Sequence, residues 1–324
     1  MMPDQAEGIR QLQAAVASEA RPASGGGLRR HARVVAVTSG KGGVGKTSLA
    51  SNIAVAAASR GRRVLLVDVD LGLANVDIIL GVQPRYNLSH FISGRRRLEE
   101  IVVRGPGGVL LVPGANGIAQ LADLDAAARE RVIHGLNELE TQVDLIIIDT
   151  GAGIGPDVLS FTSTADDVLV VITPDPASLT DGYAVVKSIW LTGRRTGFRL
   201  ALNMTRTAEE ALAVAGRIHQ VTSRFLDGQE IVFTGAVPFD ACVQESIRAR
   251  QPFVLAHPRS PAAKAVRQLA GRLMRSTRHE SAARRAAYRI HPPLAPRAGF
   301  FRRLTGFVIG HEPSQDVMGR REAG

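Results

Sequence analysis

The chain has 324 residues, 45% hydrophobic and 22% charged, with a formal net charge of +10. It holds enough apolar material for a sizeable core and too balanced a composition for global disorder. Its single cysteine, Cys242, excludes a disulfide framework, a CxxC redox pair and a metal site built on several cysteines of one chain.

The basic charge lies mostly at the ends. Residues 1–33 carry five Arg against three acids, and residues 276–324 carry nine Arg against four, which leaves about +3 for residues 34–275. A nearly neutral middle argues against DNA as a partner. Only four of the 40 basic residues are Lys: Lys41, Lys46, Lys187 and Lys264. Two of those four stand five apart in one glycine loop, where a compact point charge on a flexible stem differs from the planar fork of Arg. No run of about 18 apolar residues occurs, so no transmembrane helix is expected. The start, MMPDQAEGIR, has acids early and no apolar stretch, so it does not read as a secretory signal, and a reducing, cytoplasmic setting is expected.

In chain order, residues 1–20 read as a short helix. Asp4 and Glu7 form a capping box, and Ile9, Leu12 and Val16 make one apolar stripe. Residues 21–33, with three consecutive glycines, read as a flexible linker. From residue 34 to 275 the text alternates strand and helix. Apolar runs at 34–38, 64–67, 109–112, 145–148, 168–172, 200–202 and 231–237 lack polar alternation, so they predict strands buried on both faces. Amphipathic stretches at 124–139, 179–191, 208–225 and 262–274 predict the helices between them. The expected fold is α/β: a doubly wound, mostly parallel sheet with helices on both faces. Residues 276–324 form a basic tail with linker composition. Within it, residues 299–309 predict an amphipathic helix. At 100° per residue Phe300, Phe301, Leu304, Phe307 and Val308 share an arc of about 120°, with Arg302 and Arg303 outside it. That pattern predicts insertion into an anionic membrane, with packing on the chain's own domain or a disordered tail as the alternatives.

The strongest chemical signal is TSGKGGVGKTS at residues 38–48, which follows a strand and opens a helix. Gly40, Gly45, Lys46 and Thr47 fit G-x-x-x-x-G-K-[ST]. Such a loop, with Gly42, Gly43, Val44 and Ser48 completing it, closes backbone N–H groups around phosphates at a helix N-terminus. Lys46 is expected to reach the β- and γ-phosphates, and the Thr47 hydroxyl to ligate Mg²⁺. Asp68 and Asp70, two apart at a strand end, point the same way and fit control of Mg²⁺ and water. Asp149 ends the apolar run at 145–148 and reads as a further Mg²⁺ acid, while Gly151 and Gly153 let backbone approach a γ-phosphate. No acid is placed to read guanine, so ATP is the expected nucleotide.

A lysine at the second position of the loop, Lys41, marks the deviant Walker A group, and the sequence resembles the MinD/ParA family of dimeric P-loop ATPases there. The resemblance implies that Lys41 reaches across a dimer interface to the partner's ATP. It also implies that Asp70 positions the attacking water, that Asp68 supports the metal shell and that Asn203 reads the adenine edge. Pro238, within AVPFD, would wall the base pocket. Within the family the text is most similar to the flagellar-number branch known as FlhG, FleN or YlxH. LGLANVDIILG at 71–81, DTGAGI at 149–154, TPDPASLTDGYAVVK at 173–187 and residues 237–266 carry this. DQAEGIR at 4–10 resembles that branch's DQAxxLR activator motif. It implies that residues 4–16 stimulate a signal-recognition-type GTPase of the FlhF kind. The implied protein is an ATP-dependent homodimer with slow hydrolysis that controls flagellar number and placement. It would work with flagellar basal-body or regulatory proteins and associate reversibly with the inner face of the cell membrane. Two alternatives stay open: a segregation or division-site ATPase that binds DNA or membrane, and a scaffold that takes nucleotide only for folding.

Overall fold

A computed structural model describes residues 32–70, 75–114, 126–193, 196–275 and 299–309. The expected features in residues 1–31 and 276–298 lie outside these residues. The elements in chain order are β1 (Arg33–Ser39), α1 (Lys46–Ala58), β2 (Val64–Asp68), α2 (Val76–Leu80), α3 (Leu88–Ile92), α4 (Leu98–Ile101), β3 (Val103–Arg104), a 3₁₀ turn (Pro106–Gly108), β4 (Leu110–Val112), α5 (Ala126–Gln142), β5 (Leu145–Ala152), α6 (Pro156–Thr164), β6 (Asp167–Ile172), α7 (Pro176–Leu191), β7 (Gly197–Thr205), α8 (Ala208–Phe225), β8 (Ile231–Pro238), α9 (Ala241–Arg248), α10 (Phe253–Ala256), α11 (Pro261–Arg275) and α12 (Phe300–Ile309).

The strands form one eight-stranded sheet in the order β3-β4-β2-β5-β1-β6-β7-β8. Every pairing is parallel except β3 with β4, an edge pair only two residues long. The sheet separates two apolar cores, and the pleat allocates residues to them alternately. Val34 and Ala36 of β1, Leu65 and Val67 of β2, and Ile146 and Ile148 of β5 fall in one core. Val35 and Val37, Val64 and Leu66, and Leu145 and Ile147 fall in the other. Burial on both faces is why these runs carry no polar alternation.

Helix α1 is buried along almost its whole length, between the sheet and α11. Its run of Ala and Ser lets it approach both closely. Helix α8 is one-sided by contrast, burying Ala211, Val214, Ala215 and Ile218. The predicted strands and helices from residue 34 to 275 all have counterparts here. The short strand β3 and helices α2, α3, α4, α6, α9 and α10 are additions, too brief to show a period in the sequence.

The helix expected at 299–309 forms, and its described apolar side chains face inward. Phe300, Phe301 and Leu304 are at most 2% exposed and join the core beside α5 and α6. The buried carboxylate of Glu140 accepts the Phe300 N–H at 3.0 Å and the Phe301 N–H at 3.5 Å, so it caps this helix from α5. Arg303 donates to the Thr164 carbonyl at 3.0 Å and lies 3.5 Å from Asp166. Fully burying such apolar side chains is worth roughly 1.5–3 kcal/mol each, as an upper figure. The described face therefore already has a partner within the chain, in place of the exposed membrane-binding face that the sequence led us to expect.

Candidate functional site

The phosphate-type loop lies between β1, which is central in the sheet, and α1. Gly45 ends the loop at φ +82° and stands at the N-cap of α1, with no side-chain cap on that helix. A Cβ at residue 45 would lie 2.4 Å from Asn203 Nδ2, so only glycine fits that left-handed turn. A Cβ at residue 40 would meet the Asp181 backbone at 2.3 Å, which presses the loop against α7. Gly42 and Gly43 are exposed and have open space around them, while Val44 is buried beneath the loop. The first turn of α1 carries no acid. Uncapped N–H groups with the positive end of the helix dipole make a receptor for anionic oxygens.

Behind the loop the charges converge. Adjacent strands β2 and β5 set Asp68 opposite Asp149 in register. Lys46 Nζ donates to Asp149 Oδ1 at 2.9 Å, and Asp70 Oδ2 stands 3.7 Å from the same ammonium. Thr47 Oγ1 is 3.4 Å from Lys46 Nζ. The Asp70 N–H donates to Asp68 Oδ1 at 3.1 Å. Burial, and then the nearby Asp149 charge, push the Asp68 carboxyl up to about 7. Asp149 is also raised, because complete burial outweighs the opposing effect of Lys46.

Three carboxylates thus face one ammonium. Asp149 Oδ2 and Ser48 Oγ are buried without a hydrogen-bond partner among the described residues. A largely buried cluster of three carboxyl groups with a spare oxygen fits a hard divalent cation. Thr47, Asp68 and Asp149 are the residues that would hold it.

The last residues of β5 and the glycine after it return to the loop. The Gly153 N–H donates to the Ser39 carbonyl at 2.8 Å, and the Thr150 hydroxyl donates to the Val37 carbonyl at 3.1 Å. A Cβ at Gly151 would lie 3.8 Å from Asp70 Oδ1, so this glycine borders the space in front of Asp70. Residues 71–74, directly after Asp70, lie outside the described residues.

Two contacts were not legible in the sequence. Lys41 pairs with Asp175, the residue whose other oxygen caps α7 through the Ala177 N–H at 3.2 Å. The Lys41 ammonium holds the Asp175 carboxyl below the usual carboxylate range. Nothing local in the sequence links Asp175 to a lysine 134 residues away. Asn203 donates its amide to the Val44 carbonyl at 2.8 Å, so it braces the loop from the end of β7. Pro238 sits farther out on the edge strand β8, paired with Thr205. The structure therefore gathers Gly40, Val44, Gly45, Lys46, Thr47, Asp68, Asp70, Asp149, Gly151 and Asn203 around one loop. Lys41 lies at its outer side and Pro238 one strand beyond Asn203.

Comparisons with known proteins agree with this geometry. A family profile described as "AAA domain" matches residues 32–196. The antiactivator FleN of Pseudomonas aeruginosa is 39% identical over 238 residues, which span 74% of this chain and 85% of FleN. The flagellum site-determining protein YlxH of Helicobacter pylori is 31% identical over 242 residues, spanning 75% and 82% of the two chains. Among solved structures, MinD in the MinC:MinD cell division complex of Aquifex aeolicus superposes with a TM-score of 0.61. It is 28% identical, and the match covers 75% of this chain and 96% of that one. MinD of Pyrococcus horikoshii, solved with Mg-ADP, gives 0.59 at 25% identity, again covering 75% and 96%. A deviant Walker A loop on a matching sheet, with relatives this similar over most of their length, assigns the family: the chain belongs to the MinD/ParA ATPases, in the flagellar-number branch that includes FleN and YlxH.

Proposed function

We propose that this ATPase is an ATP-driven dimerisation switch, slow at hydrolysis, that limits the number and placement of flagella. The observation that carries the reading is the convergence of Lys46 with Asp68, Asp70 and Asp149 behind an uncapped helix N-terminus. Gly40, Gly42, Gly43, Val44, Gly45, Lys46, Thr47 and Ser48 hold the ATP phosphates, and Asn203 and Pro238 border the base. Mg²⁺, when bound through Thr47, Asp68 and Asp149, would neutralise the charge that develops on the phosphoryl oxygens. Asp70 stands at the mouth of that cluster and orients the attacking water, and Gly151 leaves room for the γ-phosphate in front of it.

Dimerisation enters through Lys41. Its present partner, Asp175, is about half exposed, so the ammonium can exchange that contact for phosphate oxygens of the partner subunit's nucleotide. The names antiactivator and flagellum site-determining protein, carried by FleN and YlxH, support a role in flagellar control. Residues 4–16 are then the segment that stimulates a partner GTPase of the FlhF type. Membrane association through helix α12 requires Phe300, Phe301 and Leu304 to leave the core first, because the same apolar surface cannot serve both.

Deleting the gene and counting flagella per cell tests the biological part. A changed number or position is expected. An unchanged pattern, alongside normal ATP turnover by the purified chain, overturns the flagellar role and leaves the ATPase standing. Sedimentation with anionic vesicles tests the membrane step: recovery with ATP and not with ADP is expected, and equal recovery with either nucleotide overturns the switch.

A further inference from the structure

The chain's one thiol stands in a cluster that the nucleotide site does not use. Asp240 caps α9 by accepting the Cys242 N–H at 3.0 Å. That fixes the first turn, in which Cys242 and Glu245, three residues apart, share a face of the helix. The chain then runs through α10 and returns His257 to the same face, with Nε2 3.9 Å from a Glu245 carboxylate oxygen. The sulfur, an imidazole nitrogen and a carboxylate oxygen all lie within 4.8 Å of one another.

The backbone that presents them is well held. The His257 N–H donates to the Phe253 carbonyl at 2.9 Å, and the His257 carbonyl accepts from Ser260 at 3.0 Å. The second oxygen of Asp240 accepts the Ala262 N–H at 3.1 Å and so links α9 to α11. Cys242 and His257 are half-buried and Glu245 is exposed, so one side of the cluster opens to solvent.

We propose that Cys242, Glu245 and His257 bind one Zn²⁺ ion, with a water in the open fourth position. A thiolate, an imidazole and a carboxylate form a borderline-soft donor set that favours zinc over magnesium. The oxygen-only cluster around Asp149 has the opposite preference, so the chain separates two classes of cation by donor chemistry. Zinc bonds of about 2.0–2.3 Å would place the donor atoms within about 4 Å of one another, so the cluster needs to contract by only about an ångström. On binding, the Cys242 S–H bond breaks, an S–Zn bond forms and the proton passes to solvent, with no change in oxidation state. The ion would tie α9 to the turn after α10, stiffening the segment that follows Pro238 and Phe239.

The test uses the full chain with the nucleotide site filled by excess Mg²⁺ and ADP. The protein is equilibrated with zinc chloride, gel-filtered and analysed for metal. One zinc per chain is expected, with one proton released per zinc and a higher melting temperature. Cys242→Ser and His257→Ala are each expected to weaken zinc binding by at least about tenfold while ADP binding persists. Cobalt substitution gives an independent reading: the parent should show a thiolate-to-cobalt charge-transfer band that Cys242→Ser lacks. If a variant fails to bind ADP, the cobalt band of the parent decides alone. A parent that retains no zinc or shows no cobalt band, or either folded variant binding zinc with the parent's affinity, overturns the site.

Discussion

The loop has an inner and an outer lysine, and they occupy opposite physical regimes. Lys46 is 7% exposed and lies against a fully buried carboxylate. Lys41 is 36% exposed and pairs with an aspartate that is 46% exposed. A buried pair is costly to break because the remaining charge has no water to turn to. A surface pair is close to neutral because water replaces either partner. The inner lysine is thus part of the fold as well as of the proposed phosphate site, while the outer one can change partners at almost no cost to the fold. The role proposed for Lys41, reaching the partner subunit's nucleotide, needs that freedom.

Removing the inner charge should have the largest effect. Lys46→Ala is expected to abolish ATP binding and to destabilise the chain by about 3 kcal/mol, since Asp149 is left buried and unpaired. Thermal unfolding and nucleotide titration check both. The stability loss should shrink as the pH is lowered, because burial already pushes the Asp149 carboxyl up and its protonation removes the unpaired charge.

The inner region also predicts a pH dependence. Asp68 titrates at about 7 when folded and near 3.8 as a free side chain. Between those values the folded state holds a proton that the unfolded chain has released. Stability therefore falls as pH rises from about 4 to 7, by up to about 4 kcal/mol, and the loss is complete above 7. Asp68→Asn should remove that slope and raise the melting temperature of nucleotide-free protein at pH 8, with little change at pH 4. Mg²⁺ should flatten the slope in the parent and have less effect in the variant. A parent whose melting temperature is level across this range would show that the carboxylate cluster is not charge-frustrated.

Asp70 lies between the two regimes, 25% exposed at the edge of the cluster. Asp70→Ala should bind ATP and dimerise but lower turnover by at least about 100-fold. Normal phosphate release would remove it from the chemistry.

The smallest effect on the monomer should come from the outer region. Lys41→Ala is expected to leave melting temperature and monomer ATP affinity unchanged while preventing a stable ATP dimer in light scattering. Asp175→Ala should match it in stability yet still dimerise. If Lys41→Ala dimerises with ATP as the parent does, the contrast between the two lysines carries no function.

The sheet's parallel character, the loop, and the three aspartates that follow apolar runs were legible in the amino-acid text. Each of these is encoded locally: unbroken apolar runs need two covered faces, and a glycine loop before a helix leaves few other conformations. Only the tertiary structure brought Lys46 to Asp149 across 103 residues, because strand order decides which strand ends become neighbours. It also decided the partner of Lys41 and the bracing of the loop by Asn203, whose contacts leave no mark in the local sequence. The helix at 300–309 shows the boundary most clearly. Its apolar stripe was plain in the text and predicted a covered face, but a stripe specifies no cover. A membrane and the groove between α5 and α6 remove the same surface from water, and Glu140, 160 residues upstream, supplies the cap that favours the groove.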